Sequence, residues 1–154
     1  MNLFGIFQVA GSGMAAETLR LNTTASNLAN AGSVSSSSNG AYRAREPVFT
    51  TVDDSQLEAR TDGRFDVSPT STEDAAVAGV RLDGVTESQA PIQARYEPGN
   101  PMADANGDVY TSNVNPIDEL VNMISASRSY QDDVDVIGST KQLMLQTLNL
   151  GNTQ

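Results

Sequence analysis

Residues 115–151 read NPIDELVNMISASRSYQDDVDVIGSTKQLMLQTLNLG, and this stretch decides the fold. Asn115 supplies a side-chain cap, and Pro116 takes the first helical position, where its missing N–H costs nothing. Asp118 and Glu119 follow in the first turn, where the helix dipole favours negative charge. Leu120, Met123, Ser127, Tyr130, Val134, Ile137, Lys141, Met144 and Leu148 then recur at three-to-four spacing, and all but Ser127 and Lys141 pack readily. No proline interrupts, and Gly151 closes the series, so the spacing predicts a helix of about 34 residues, roughly 50 Å long. Gly138 is its one soft point.

The amino-terminal end carries a second seam: Leu3, Phe7, Ala10, Met14, Glu17, Leu21, Thr24 and Leu28, apolar at all but two positions. Asn30-Ala31-Gly32 and the serine-rich run Ser33–Ser38 stop it, with Gly32 placed for a left-handed cap. Gly11 and Gly13 each weaken the helix by about 1 kcal/mol relative to alanine. They either allow a neighbouring helix to approach closely or mark a break.

Between these ends, from Gly40 to Val114, the texture changes. Tyr42–Val52, Val77–Val85 and Ile92–Tyr96 carry β-branched and aromatic residues between turn formers. Gly63, Gly79, Gly84, Pro91, Pro98-Gly99 and Asn106-Gly107 punctuate them. A small irregular β region is expected, with loops at Asp53–Asp62 and Asp66–Asp74. The fold class is therefore α+β: two long terminal amphipathic helices forming a coiled-coil-like pair, and a β-rich middle. The expected organisation is 1–32 for the first helix, 33–114 for the linker and β region, and 115–154 for the second helix. Helices this long with partly apolar seams leave much surface uncovered in a monomer. Adding copies buries it at about 25 cal/mol per Å² of apolar area, which favours a polymer.

Composition removes most other functions. The net charge of −10 and pI near 4.2 leave no basic stripe for nucleic acid and no attraction to anionic membranes. With no Cys there is neither disulfide nor thiolate metal site, and with no His the commonest general base and metal ligand are missing. Only a carboxylate enzyme would remain, and no nucleophile–base pair can be drawn for it. No cofactor is expected. Met1–Phe7 lacks a basic stretch before an apolar run, so no cleaved signal peptide is read, and no segment has about 18 consecutive apolar residues to span a bilayer.

Four smaller features resolve to ordinary structure. Asp104-Ala105-Asn106-Gly107-Asp108 begins like a calcium loop, but its glycine is at the fourth position and Asn115 stands where the closing glutamate belongs. It reads as an Asn-Gly turn leading into a short strand. In Asp132-Asp133-Val134-Asp135, the first and last share one helix face while Asp133 points away, which suits a solvated or salt-bridging face. Gly11-Ser12-Gly13 lacks the preceding strand of a dinucleotide site. Asn22-Thr23-Thr24 is a glycosylation sequon inside an expected helix and carries no weight.

Several runs together resemble the flagellar axial family of rod and hook proteins. Ala25-Ser26-Asn27-Leu28-Ala29-Asn30 matches the signature that ends the family's first helix, and Tyr42-Arg43-Ala44-Arg45-Glu46-Pro47-Val48-Phe49 resembles the segment after it. Ser112-Asn113-Val114-Asn115, Glu119-Leu120-Val121-Asn122-Met123-Ile124 and Arg128-Ser129-Tyr130-Gln131 are similar to the carboxyl-terminal elements. Glu97-Pro98-Gly99-Asn100-Pro101-Met102-Ala103-Asp104 looks like an element of the family's proximal rod branch. Asp133 departs from the asparagine usual in the family, and the serine run and acidic loops are peculiar to this chain.

The resemblance implies a structural subunit of the proximal rod, the periplasmic drive shaft that transmits torque. It also implies export through the flagellar type III apparatus without a cleaved signal, with helices that order as neighbours bury their seams. The implied partners are the chain itself, other proximal and distal rod subunits, the rod–rotor-ring adaptor and the export apparatus. Nucleic acid and direct membrane insertion are excluded. The expected interface comprises Leu3, Phe7, Met14, Leu21, Asn27, Leu28, Asn30, Leu120, Met123, Ile124, Arg128, Tyr130, Val134, Ile137, Met144 and Leu148. The rival readings are another axial subunit, or a cytoplasmic coiled-coil adaptor or export chaperone with no need of the Ala25–Asn30 and Arg128–Gln131 signatures.

Overall fold

The computed structural model of the chain describes residues 3–52 and 79–151. The loops expected at Asp53–Asp62 and Asp66–Asp74 lie outside the described residues. Helix α1 runs from Leu3 to Asn30 and helix α2 from Pro116 to Gly151. Between them lie β1 (Val34–Ser35), β2 (Arg45–Val52), β3 (Gly79–Glu87), β4 (Gln93–Tyr96) and β5 (Asp108–Thr111). The two terminal helices pack together, as the paired seams predict, and the class is α+β.

Helix α1 is continuous through Gly11 and Gly13, so neither glycine marks a break. Its internal hydroxyls turn back onto the helix: Ser12 donates to the Val9 carbonyl, Thr23 to Leu19 and Thr24 to Leu21. The helix does not close on a left-handed glycine, because Gly107 alone adopts positive φ among the described residues. Side chains do the work Gly32 was expected to do. The Asn30 amide donates to the Ser26 carbonyl at 2.8 Å, and the Ser33 hydroxyl to the Asn30 carbonyl at 2.7 Å.

Helix α2 begins as its sequence predicts. The Asn115 side-chain oxygen accepts the Ile117 N–H at 3.1 Å, while its amide donates to Asp118 at 2.7 Å. Along α2, the residues turned inward are Glu119, Ala126 and Thr140, all buried, and Asp133, half-buried. They recur every seventh residue, and the half-buried Met123 and Ile137 fall between them with Met144 beyond, so the seam within the chain alternates small or polar side chains with apolar ones.

The chain divides into two compact units. One comprises Glu17–Val48 and Asp83–Arg128. Here β1, β5 and β4 form an antiparallel sheet with β5 in the centre, pairing Val34 and Gln93 with Thr111 from either side. Val109 on β5 is fully buried, and Ala41, Ala44, Val114 and Ala126 are the other buried apolar residues of this unit. Tyr42–Ala44, expected to be strand, remains outside β2; the Ala44 N–H donates to the Asn113 side-chain oxygen and its carbonyl accepts the Ser88 N–H. β1 was not legible in the serine run that contains it.

The other unit holds the described residues of Met1–Ala16, Phe49–Leu82 and Ser129–Gln154. The first half of α1 meets the second half of α2 there, with Gly13 against Asp133. A Cβ on Gly13 would stand 2.6 Å from the Asp133 carboxylate, whereas nothing lies within 4 Å of one on Gly11. The spacing thus placed Asp133 away from Asp132 and Asp135 correctly, and the face it occupies is the helix seam. Gly11→Ala is expected to stabilise the free subunit by about 1 kcal/mol. Gly13→Ala is expected to give no gain, because the seam must open to admit the methyl. Urea unfolding of both variants checks this.

Candidate assembly site

Asn27 is the polar centre of its unit. It is 1% exposed, and both ends of its amide are filled. Its oxygen accepts the Tyr42 hydroxyl at 3.0 Å and the Arg45 N–H at 2.9 Å. Its nitrogen donates to the Arg45 carbonyl at 2.8 Å and to a Glu119 oxygen at 3.0 Å. One side chain on α1 therefore fixes the segment leading into β2 and the first turn of α2. Ser26 adds a hydroxyl contact to Tyr42 at 3.3 Å, and the Arg45 guanidinium lies 5.7 Å from the centre of the Tyr42 ring.

Asn113 makes the matching tie from the other side. Its oxygen accepts the Ala44 N–H at 2.7 Å, and its nitrogen donates to the Ala90 carbonyl at 3.0 Å. Arg43 reaches the same carbonyl and that of Ser88. Residues far apart in sequence thus meet in one hydrogen-bonded node.

The Glu97–Asp104 element forms the turn between β4 and β5. The Asp104 carboxylate accepts the Asn106 and Asp108 N–H groups at 2.8 and 3.0 Å, and the Tyr110 hydroxyl at 3.4 Å. Chiefly the Asp108 amide holds the Asp104 carboxyl below its ordinary range, burial opposing it; the Asp104 charge in turn pushes the Tyr110 phenol up. These oxygens are spent on a turn, as the calcium-loop comparison anticipated. Gly107 completes it at φ +87°, and the Tyr96 ring and Pro98 occupy the space a Cβ would need.

Around this framework the expected interface residues separate into groups. Asn27 is buried in the node, and Leu3 lies in the first turn of α1. Phe7, Met14, Leu21, Leu28 and Asn30 on α1, and Met123, Ile137 and Met144 on α2, are half-buried. Leu120, Ile124, Arg128, Tyr130, Val134 and Leu148 are exposed. Ile117 and Val121, which the sequence reading did not single out, are the most exposed large aliphatic residues of the first α2 turns, at 71% and 61%. Their spacing from Ile124 was the available signal: 117, 121 and 124 lie on one face, adjacent to the seam that was followed.

Comparison with known proteins agrees with this arrangement. The family model described as "Flagella basal body rod protein" matches residues 7–32, and "Flagellar basal body rod FlgEFG protein C-terminal" matches residues 105–150. Flagellar basal-body rod protein FlgC of Salmonella typhimurium is 46% identical over 151 residues, covering 98% of this chain and 99% of its own length. FlgC of Escherichia coli O157:H7 matches to the same extent, and FlgC of a Buchnera aphidicola strain is 35% identical over 97% of this chain and 98% of its own. With both helices, the node and the intervening turn inside one end-to-end match, the chain belongs to the FlgC family of flagellar basal-body rod proteins.

Proposed function

We propose that this rod subunit polymerises through the outward faces of its terminal helices, within the proximal part of the rod, as an element of the periplasmic shaft that carries torque. The observation that supports the reading is the placement of apolar side chains on α2. Its inner side takes Glu119, Ala126, Asp133 and Thr140 with Met123, Ile137 and Met144, while Ile117, Leu120, Val121, Ile124, Leu145 and Leu148 stand 46–71% exposed. A free subunit gains nothing from that placement, whereas a neighbour covering each aliphatic side chain contributes about 1.5–3 kcal/mol. No helix among the described residues is long and apolar enough to cross a membrane, so packing between subunits is the outlet for this surface.

Copies of the chain, the other proximal and distal rod subunits and the rod–rotor-ring adaptor are the partners we assign to these faces. Delivery is assigned to the flagellar type III apparatus, without signal cleavage. Removing the gene is expected to give non-motile cells without hooks or filaments, restored by the wild-type gene, with basal bodies arrested before the rod is complete in electron micrographs. Motile cells with intact basal bodies would return the protein to the class of cytoplasmic coiled-coil adaptors.

A further inference from the structure

We propose that Glu119 is a proton-operated lock on the docking of α2, holding the first turn against Asn27 when neutral and loosening it when charged. Glu119 is nine-tenths buried as a residue. One oxygen accepts the Asn27 amide at 3.0 Å, while the other is buried without a hydrogen-bond donor. A carboxylate there is a stranded acceptor carrying charge, whereas a carboxylic acid places its proton on that oxygen and sheds the charge.

The surroundings favour the neutral form. From α1 the facing group is the uncharged Asn27 amide; from β2 it is Glu46, and from α2 itself Asp118, both of like charge. Of the two arginines in the node, Arg45 holds its guanidinium over the Tyr42 ring and bonds Asn27 through its backbone, and Arg43 directs its guanidinium to the Ser88 and Ala90 carbonyls. Burial first, and then these two carboxylates, push the Glu119 carboxyl up, against the opposing pull of the Asn27 hydrogen bond. A carboxyl raised in the folded state binds its proton more tightly there than in the unfolded chain. Its contribution to stability is therefore complete below the ordinary glutamate value of about 4.3 and is lost as pH rises through the folded value.

The test uses the purified full chain. A carbon-detected NMR titration, with the Glu119 signal assigned by its absence in Glu119→Gln, is expected to show a midpoint above about 4.3. Thermal unfolding is expected to show Glu119→Gln, which keeps the acceptor for Asn27 without charge, melting higher than wild type at pH 7. That difference should shrink as the pH approaches 4. A midpoint at or below the ordinary value overturns the proposal. So does a melting difference that is independent of pH, or a variant less stable than wild type at pH 7.

Discussion

Cells whose only copy of the subunit carries Ile124→Asp are expected to fold the protein and to lack hooks and filaments. Ile124 is 55% exposed in the free subunit, so an aspartate there remains hydrated and changes stability by about 0.5 kcal/mol at most. Beneath a neighbour the same change removes an aliphatic contact and requires a carboxylate to lose water. A loss of about 3 kcal/mol per contact corresponds to roughly a hundredfold in each subunit addition. Circular dichroism and urea unfolding of the purified variant, beside motility and micrographs of basal bodies, separate the two effects. Normal motility would remove this face of α2 from the assembly. Leu28→Asp and Met123→Asp would also be expected to block assembly, but both residues are half-buried in the free subunit. Those variants mix failed folding with failed addition, and Ile124 does not.

Asn27→Leu is the substitution expected to harm the subunit itself most. Leucine is close to asparagine in size, so packing is nearly kept, but the Tyr42 hydroxyl, both backbone groups of Arg45 and a Glu119 oxygen lose their partner at once. Leaving a buried polar group unsatisfied costs about 1–3 kcal/mol, and part of this cost is relieved where Tyr42 and Arg45 reach water. A net destabilisation of roughly 4 kcal/mol is expected, a large share of the total for a chain of this size. The midpoint of urea unfolding measures it. A variant within 1 kcal/mol of wild type would show that the node is ornamental to stability.

The terminal helices were legible in the sequence because their signals are local: a cap at Asn115, a prolyl first turn, and unbroken three-to-four spacing. The β4–β5 turn was legible from Asn106-Gly107, whose chemistry admits few other conformations. What stayed hidden depends on pairs distant in sequence. Nothing local marks Asn27 as the partner of Glu119, or Gly13 as the place where Asp133 fits. β1 lies in a serine run with no strand texture and exists because β5 offers it an edge. On α2 the apolar series is wide enough to cover two faces, and the spacing alone did not tell which face the chain keeps and which it offers. Asn27 and Arg128 entered through resemblance; the structure gives the first an account in hydrogen bonds and leaves the second exposed.

The Asn27 node also bears on mechanics. Apolar contacts resist separation but permit sliding, since a leucine finds a similar hollow one turn further along. Four directed hydrogen bonds on one amide have no such neighbouring position: sliding α2 along α1 at that point breaks the bond to Glu119, and sliding the segment that leads into β2 breaks the other three together. A twisted shaft of such subunits would yield first at the greasy joints between them, with the riveted segment of each subunit staying stiff.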